Sequence, residues 1–406
     1  MPQTAAELEI VAGRHVARHF RALPDLSRSL ALLDEITAAA PGLPDIPGDR
    51  PLALYGAGNL GRMARDFLKT VWLDFDFVID RNAAALRDNP DWQGMTLYHP
   101  DEVPAALKQS HLLLVSVVLA PYVPIETELL QAGFRHVVPF YDFTENFRHL
   151  HPLSNGWHAC AFGKSDQAMT KLAVEGWSDD VSRAHHLAFL AWRALRQEWT
   201  FETAPVTIGD RFFIPEILSV LNDDEVFLDC GAHHGSVTQK FSDAVHGRWQ
   251  RIVTIEPDEA NAEVLNRSIA DAWPDATQRR PEFLATVLGA ATGTATFHDG
   301  LGYASQVSPT GHRQAEMQSI DGLDLAPTFI KLHLEGHELE ALKGARQTLL
   351  KHRPIVVATV YHNDDGIWRT ALWLMKTLKD YRLLFRLHSY CGTSAVIYAI
   401  PAERER

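Results

Sequence analysis

Cysteine and long hydrophobic runs are both scarce in this chain. Only three of its 406 residues are cysteines, and an odd number at wide spacing forms neither a disulfide framework nor a zinc-binding pattern. The longest apolar run, from Leu112 to Ala120, is about half as long as the roughly 20 residues that span a membrane. These absences argue against a secreted disulfide-rich protein and a membrane-spanning protein, and they favour a reducing, cytoplasmic compartment.

Positive charge is also in short supply, since 38 Lys and Arg residues stand against 51 Asp and Glu residues, for a net charge of −13. Scattered basic residues in an acidic chain are poorly suited to the phosphate backbone of nucleic acids and provide no basic face for anionic lipids. We therefore expect neither nucleic-acid nor membrane partners. The chain does have an ordinary globular composition, 46% hydrophobic and 22% charged, and a length that suits two or three domains.

The order of predicted elements indicates an α/β protein with two Rossmann-like doubly wound domains and helical N-terminal and connecting segments. Strands that alternate with helices are typical of parallel sheets, and this alternation occurs twice. We predict a helical N-terminal segment and linker at residues 1–50, a nucleotide-binding-type domain at 51–150, a helical connector at 151–205 and a second α/β domain at 206–406. Strands are predicted at Leu52–Tyr55, Phe75–Ile79, Leu112–Val118, Val137–Phe140, Val226–Asp229, Ile252–Glu256, Ala285–Leu288, Ile330–Leu334 and Ile355–Tyr361.

The first glycine-rich loop, with Gly56, Gly58, Asn59 and Gly61, follows a predicted strand and opens a predicted helix. Glycines allow a tight turn and close approach to a phosphate, and the helix N-terminus then faces the anion. Asp80 ends the next strand, where a carboxylate can hold ribose hydroxyls. The loop therefore predicts a nucleotide site, with a purely structural or substrate-presenting domain as the alternative. No dehydrogenase constellation follows within residues 81–150, which weighs against a nicotinamide oxidoreductase.

The second glycine-rich loop differs because an acidic residue, Asp229, closes the strand before Gly231 and Gly235. The turn lets the backbone approach an amino-acid moiety, and Asp229 can help to hold its ammonium group. Glu256 ends the next predicted strand, where a carboxylate can accept both ribose hydroxyls. This arrangement suits S-adenosylmethionine, which has no phosphate, better than a dinucleotide.

The C-terminal half resembles the FkbM-like family of S-adenosylmethionine-dependent methyltransferases, over about Phe212 to Pro401. Its pieces come in the family's order. They are Phe212-Phe213-Ile214-Pro215, Leu228-Asp229-Cys230-Gly231-Ala232, Ile255-Glu256-Pro257-Asp258, Leu288-Gly289 with Gly293, Ile320-Asp321, Ile330 to Glu338, Leu342-Lys343-Gly344-Ala345, and a tail with Tyr361-His362, Asp364, Asp365, Trp368, Arg386 and His388-Ser389.

This resemblance implies that residues 206–406 form a methyltransferase domain of class I type that uses S-adenosyl-L-methionine. It places Glu335 and His362 on the methyl-acceptor side. The family usually has Asp at the position of His333, and this departure leaves the acceptor, and activity itself, open. The implied cofactor-binding residues are Asp229, Gly231, Ala232, His233, Gly235, Ser236, Glu256, Pro257, Asp258 and Val287.

A hydroxyl acceptor must lose its proton, and histidine is the side chain best matched to that task near neutral pH. The candidates are His362, His333 and His388, with Glu335, Asp364 or Asp365 as orienting carboxylates. We favour His362, because it directly follows a predicted strand and ligands bind beyond the carboxyl ends of such strands.

Histidines and acids also crowd the segment from His333 to Glu338, which raises the question of a metal. Alternation along a strand would place His333 and Glu335 on one face, and a divalent cation could polarise the acceptor. Because the spacing matches no strong metal motif, we predict no metal and keep a divalent cation as the alternative.

The sequence thus predicts O-methylation of a hydroxylated small molecule or a sugar or glycan unit. Two other classes remain as alternatives. One is a non-catalytic cofactor- or nucleotide-binding protein with a decayed acceptor site, and the other is an NAD-dependent oxidoreductase that uses the first glycine loop. The identity of the acceptor, the methylated atom and the oligomeric state, including a homo-oligomer, stay open.

Overall fold

The structure is a computed structural model that describes residues 8–12, 15–39, 46, 49–151, 153, 163–274, 279–363 and 366–405. It divides into two compact units. The N-terminal unit contains Met1–Phe162, Leu187–Val206 and Ser389–Thr393. The C-terminal unit contains Gly163–His186, Thr207–His388 and Ser394–Arg406. The predicted connector at 151–205 is therefore divided between the two units.

The N-terminal segment begins with strands where a helix was predicted. Residues Leu8–Ala12 (β1) and His15–Phe20 (β2) pair as an antiparallel hairpin, and only Leu26–Ala38 (α1) is helical. The helix prediction is therefore wrong over residues 8–20. The apolar residues of this segment have helical spacing, but β2 pairs in parallel with Gln197–Phe201 (β8). Such a tertiary contact overrides the local helical preference. Most of the predicted linker, residues 41–48, lies outside the described residues.

Five parallel strands form the main sheet of the N-terminal unit, four of which the sequence predicted; the fifth, Thr96–Tyr98, was not predicted. Their order, β5-β4-β3-β6-β7, reverses direction beside β3 as in a doubly wound fold. The strands β3, β4 and β6 are fully buried, which explains their continuous apolar runs. The strands are Leu52–Tyr55 (β3), Phe77–Ile79 (β4), Thr96–Tyr98 (β5), Leu112–Val115 (β6) and His136–Pro139 (β7). The helices are Asn59–Thr70 (α2), Ala83–Leu86 (α3), Ala105–Ser110 (α4), Tyr122–Gln131 (α5) and Phe140–Thr144 (α6).

Two helices, Lys164–Gly176 (α7) and Asp180–Leu195 (α8), occupy the predicted connector. Some polar side chains of these helices form buried hydrogen bonds that have a structural role. In the C-terminal unit, buried His186 accepts a hydrogen bond from the Trp177 indole at 2.9 Å and lies 2.7 Å from the Ile367 carbonyl. These contacts fix the start of α8 against that unit.

The C-terminal unit is built on a seven-stranded sheet in the order β11-β10-β9-β16-β17-β19-β18. Its first five strands along the chain are parallel, and β19 runs antiparallel between β17 and β18. The strands are Val226–Cys230 (β9), Arg251–Ile255 (β10), Glu282–Leu284 (β11), Phe329–Leu332 (β16), Ile355–Thr359 (β17), Tyr381–Leu387 (β18) and Ala395–Pro401 (β19). The helices are Pro215–Leu218 (α9), Ser236–Ala244 (α10), Glu259–Ala272 (α11), Glu338–Lys343 (α12), Arg346–His352 (α13) and Arg369–Thr377 (α14).

A small second sheet in this unit corrects one strand prediction. Of the predicted strand Ala285–Leu288, only Val287–Leu288 (β12) is a strand, and it belongs to a different sheet from β11, which ends at Leu284. That sheet also contains Gly293–His298 (β13), Gln306–Val307 (β14) and Arg313–Gln318 (β15), in the order β12-β15-β13-β14. Among the described residues, no helix is both long and apolar enough to span a lipid bilayer.

Candidate active site

A cleft of about 200 Å³ opens at the carboxyl ends of the parallel strands in the C-terminal unit. Loops that follow β9, β10 and β16 line it, which is where open α/β sheets bind ligands, and so does β12 itself. Seven of the predicted cofactor-binding residues line this cleft. They are Gly231, Ala232, His233, Ser236, Glu256, Pro257 and Val287.

The turn after β9 requires glycine at its first position. Gly231 has a φ of +76°, and a side chain there would place its Cβ 2.0 Å from the carbonyl oxygen of His333. The amides of Gly231 and Ala232 both donate to the carbonyl of Ile255, at 2.9 and 3.0 Å. The loop is thus bound to the end of β10 and leaves its following residues facing the cleft. Gly235, the residue that precedes α10, lies outside the cleft lining.

Glu256 closes the opposite side of this turn. Its carboxylate accepts the amide of His233 at 2.8 Å and the amide of Asp258 at 3.0 Å. Its side chain is 6% exposed, and burial raises its pKa. Each carboxylate oxygen accepts one backbone amide and keeps lone-pair capacity for a further donor, so Glu256 can accept ligand hydroxyls without losing its support.

Asp229 has a different environment from the one expected. It is 0% exposed, and its carboxylate pairs with the Lys331 ammonium at 2.8 Å and accepts the Thr238 hydroxyl at 2.7 Å. Lys331 also donates to the Gly231 carbonyl at 2.7 Å. The Asp229 carboxylate does not line the cleft, so it orders the glycine loop through Lys331 and has no direct contact with the cleft space.

Asp258 is likewise withdrawn from the cleft. Its carboxylate caps α11 at the Asn261 amide, at 2.9 Å, and also accepts the Gly300 amide at 2.7 Å and the Ser305 hydroxyl at 2.6 Å. Burial opposes ionisation, but these hydrogen bonds prevail and lower the pKa of Asp258. The residue therefore fixes the 300–305 segment, which forms one wall of the cleft.

His333, Glu335 and His362 come together at the ends of β16 and β17. The Nε2 atom of His333 lies 2.9 Å from Oε1 of Glu335 and 3.3 Å from Nε2 of His362, and Nδ1 of His362 lies 3.1 Å from Oε2 of Glu335. The juxtaposition follows from register, because β16 and β17 are parallel and Leu332 pairs with Ala358. His333 and Glu335 line the cleft, whereas His362 does not and contacts both from behind.

The element that carries Glu335 differs from the prediction. His333 and Glu335 were expected on one face of a strand, but β16 ends at Leu332 and Glu335 has a left-handed φ of +50°. Glu338 stabilises the resulting turn by accepting the amides of Leu334 and Gly336 at 2.9 and 3.0 Å. The turn still brings the two side chains together.

Burial dominates the protonation of this cluster. It pushes the pKa of His333 well below its usual range, with the nearby charge of Arg211 acting in the same direction. It also raises the pKa of Glu335 well above its usual range, assisted by Glu338. His333 therefore holds a neutral imidazole, with a ring nitrogen able to accept a proton, at neutral pH.

His388 does not join this cluster. It is buried, and its Nδ1 lies 2.6 Å from the Thr207 carbonyl while its Nε2 lies 2.7 Å from the Tyr398 hydroxyl. These contacts make it a packing residue of the C-terminal unit. The other candidate carboxylates, Asp364 and Asp365, lie outside the described residues.

Sequence reasoning gave no site role to two residues beside His333: Arg211, which lines the cleft, and Tyr361, which does not. Arg211 donates to the Tyr361 hydroxyl at 2.8 Å, and that hydroxyl lies 3.0 Å from Nε2 of His333. The Nε of Arg211 is buried without a hydrogen-bond partner. Tyr361 could have been found, because it precedes His362 at the end of β17, whereas nothing in the spacing marks Arg211.

The first glycine loop adopts a similar backbone in the N-terminal unit. Gly56 has a φ of +101°, and the Asp80 carboxylate accepts the Ala57 amide at 2.8 Å. Gly56 and Asp80 line a depression of about 230 Å³. Gly58, Asn59 and Gly61 do not line it, and Gly61 packs against the Gly56 carbonyl. Nucleotide binding at this loop stays a prediction.

Comparison with known proteins bears on the C-terminal unit. Residues 229–390 match the family model described as the methyltransferase FkbM domain. This part of the chain is a methyltransferase FkbM domain. The cleft and the histidine cluster therefore lie in a domain whose family transfers methyl groups.

Solved structures extend the likeness of the fold beyond the FkbM domain. A methyltransferase FkbM from Methylobacillus flagellatus KT is 18% identical and has a TM-score of 0.61, over 92% of this chain and 99% of that chain. A precorrin-6y C5,15-methyltransferase from Geobacter metallireducens GS-15 is 15% identical with a TM-score of 0.30, over 49% of this chain and 95% of that chain. The first supports the α/β fold of this chain, and the second adds nothing to it. A search of curated proteins found no significant match.

Proposed function

We propose that the FkbM domain transfers the methyl group of S-adenosyl-L-methionine to a hydroxyl group of a small molecule or of a sugar or glycan unit. The observation that carries this proposal is the composition of one cleft. It contains a carboxylate at the end of the second strand, Glu256, and a neutral histidine in contact with a carboxylate, His333 with Glu335.

The residues of the cleft fit this cofactor. Glu256 offers acceptor oxygens of the kind that ribose hydroxyls need, and Val287 and Pro257 provide apolar surface for a flat base. Arg211 forms no ion pair with a carboxylate among the described residues and offers donors for the carboxylate of an amino acid. When bound, S-adenosylmethionine supplies an activated methyl group, so the protein has mainly to position and deprotonate the acceptor.

The acceptor side can perform that deprotonation. A hydroxyl placed against His333 can give its proton to the neutral ring, while Glu335 orients the ring at 2.9 Å and His362 supports the carboxylate from behind at 3.1 Å. We therefore assign proton acceptance to His333 and a positioning role to His362, which the sequence had favoured as the base. This assignment follows from the cleft lining, which includes His333 and not His362.

The test is methyl transfer from a methyl-labelled donor to a panel of hydroxylated acceptors, with mass spectrometry of the products. The wild type should release S-adenosylhomocysteine and methylate an oxygen. His333→Ala should lower turnover by about 10²- to 10⁴-fold, the usual contribution of a general base. His312→Ala, an exposed histidine paired with Asp299, is the matched control and should keep wild-type turnover.

The same experiment separates the alternative functions. Cofactor binding without any methylated product would favour a binding protein with a decayed acceptor site. Oxidation or reduction of a nicotinamide by the wild type, with no use of the methyl donor, would favour an oxidoreductase. A product methylated on nitrogen or carbon would overturn the O-methylation part alone.

A further inference from the structure

We propose that His333, Glu335 and His362 bind a first-row divalent cation of the zinc type. The side chains of these three residues bring together two imidazole nitrogens and a carboxylate, all within 4.8 Å of one another. Two histidines and one glutamate form a well-known ligand set of catalytic zinc sites, which leave a position open for substrate. Such a site adds a metal to the proposed acceptor side.

The spacing between the ligand atoms supports a common metal. Tetrahedral zinc with bonds of about 2.0–2.1 Å separates its ligand atoms by roughly 3.3 Å. The two Nε2 atoms of His333 and His362 are 3.3 Å apart, and Oε1 of Glu335 is 2.9 Å from the first of them. One ligand atom from each of the three side chains lies within 4.8 Å of the other two, which is close enough for all three to reach one ion.

The rigidity of the surroundings favours a built site. His333 follows β16 and His362 follows β17, two fully buried parallel strands. Glu338 fixes the turn that carries Glu335 by accepting two of its backbone amides. Ligands held by neighbouring strand ends keep their spacing better than ligands on free loops.

The surrounding charges predict which cation binds. Imidazole ligands favour zinc and similar first-row ions over magnesium. Arg211 lies 3.5 Å from Nε2 of His333, and its positive charge opposes any cation there. We therefore expect no binding of Mg²⁺, and we expect Arg211→Gln to tighten Zn²⁺ binding.

The role of the ion rests on the proposed function, whereas its binding does not. A cation on these ligands would also contact the acceptor oxygen and lower the pKa of that hydroxyl, as Lewis-acid catalysis requires. With its Nε2 on the cation, His333 would be a ligand and would no longer accept the proton. The hydroxyl proton would instead leave to water through the open cleft, and the oxygen would attack the methyl carbon as its bond to sulfur breaks.

The experiment is calorimetric titration of Zn²⁺, and separately of Mg²⁺, into the chelator-treated full chain. The wild type should bind one Zn²⁺ per chain and no Mg²⁺. His333→Ala should weaken Zn²⁺ binding by more than about a hundredfold, since even residues behind metal ligands change affinity by 10- to 100-fold. His312→Ala, the control, should bind Zn²⁺ like the wild type.

A second measurement keeps the test valid if a variant misfolds. Co²⁺ added to the wild type should give the visible absorption of a low-coordinate protein site, and Zn²⁺ should abolish it. The absence of stoichiometric Zn²⁺ binding, or binding that His333→Ala leaves intact in a folded variant, would overturn the metal site. Titration of S-adenosylmethionine into the metal-free chain distinguishes this failure from failure of the proposed function.

Discussion

The two glycine loops share a backbone plan but differ in what surrounds them. In each, a glycine of positive φ follows the first strand of a parallel sheet, Gly56 after β3 and Gly231 after β9. In each, a carboxylate at the end of the second strand accepts a loop amide at 2.8 Å, Asp80 from Ala57 and Glu256 from His233. A donor from the neighbouring strand's end then holds the glycine carbonyl in both.

The two loops differ in the chemical nature of this last donor. Ser116 donates its hydroxyl to the Gly56 carbonyl at 2.8 Å, whereas Lys331 donates an ammonium to the Gly231 carbonyl at 2.7 Å and pairs with buried Asp229. The first loop adjoins a depression that includes Arg81 and Asn82, and the second adjoins a cleft that includes His333 and Glu335. The shared plan is thus a property of the doubly wound sheet, and the chemistry comes from the residues around it.

The largest expected difference between the loops is the loss of stability when the buried donor that supports each loop is removed. Lys331→Met would leave the buried Asp229 carboxylate without its counter-charge, and breaking a buried pair in this way costs about 3–5 kcal/mol. Denaturant unfolding of the C-terminal unit should show this loss. The double variant with Asp229→Asn should recover part of it.

Ser116→Ala is the matched change in the first loop. It removes one neutral hydrogen bond and should cost about 1 kcal/mol. If Lys331→Met cost no more than Ser116→Ala, the buried pair would not be the main support of the second loop.

Two buried groups, one in each unit, should contribute to the pH dependence of stability with opposite signs. In the N-terminal unit, burial raises the pKa of Glu198 to about 7, so the folded state binds the extra proton and stability falls as pH rises from about 4.5 to 7. In the C-terminal unit, burial lowers the pKa of His186 to about 4, so stability is lost as pH falls from about 6.5 to 4. Each effect is worth about 1.4 kcal/mol per unit of pKa shift.

Unfolding measured across this pH range with Glu198→Gln and His186→Gln checks both signs. Each variant should flatten the pH dependence that its own residue causes. A steeper dependence in either variant would contradict the assigned sign.

Alanine substitutions of a glycine in each loop, Gly231 and Gly58, are also expected to differ in their loss of stability. Gly231→Ala forces alanine into a left-handed conformation, which costs about 1–3 kcal/mol, and brings its Cβ against the His333 carbonyl. Gly58→Ala meets no atom within 4 Å and should cost less than about 1 kcal/mol. Thermal unfolding of both variants tests the comparison, and equal losses would contradict it.

The predictable part of the fold was a set of parallel strands with continuous apolar runs, such as β3, β6, β9 and β17. Strands β5, β11, β18 and β19 of the same two sheets were not predicted, although β19 is fully buried. The hairpin of β1 and β2 was missed, because β2 depends on pairing with β8 across some 180 residues of chain. The sheet of β12 to β15 was missed because its longest strands carry mostly polar, partly exposed side chains.

A site residue was predictable where its position depends on the end of a single strand. It was less predictable where its role depends on a contact between two strands that are distant in sequence. Glu256 and Gly231 follow from a strand, a turn and a helix in sequence. The Asp229 contact does not, because its partner Lys331 lies on a strand 102 residues further along. Arg211 reaches the cluster from a segment before β9, and no local pattern shows that.

The central claim is that the second loop, and not the first, forms the cofactor site. Calorimetric titration of S-adenosylmethionine into the wild type, Glu256→Ala and Asp80→Ala tests it directly. Glu256→Ala should weaken binding roughly ten- to a hundredfold, because it removes charge-assisted contacts worth about 1.5–3 kcal/mol, and Asp80→Ala should bind like the wild type. No binding to the folded wild type, or an equal loss in Asp80→Ala, would contradict the claim.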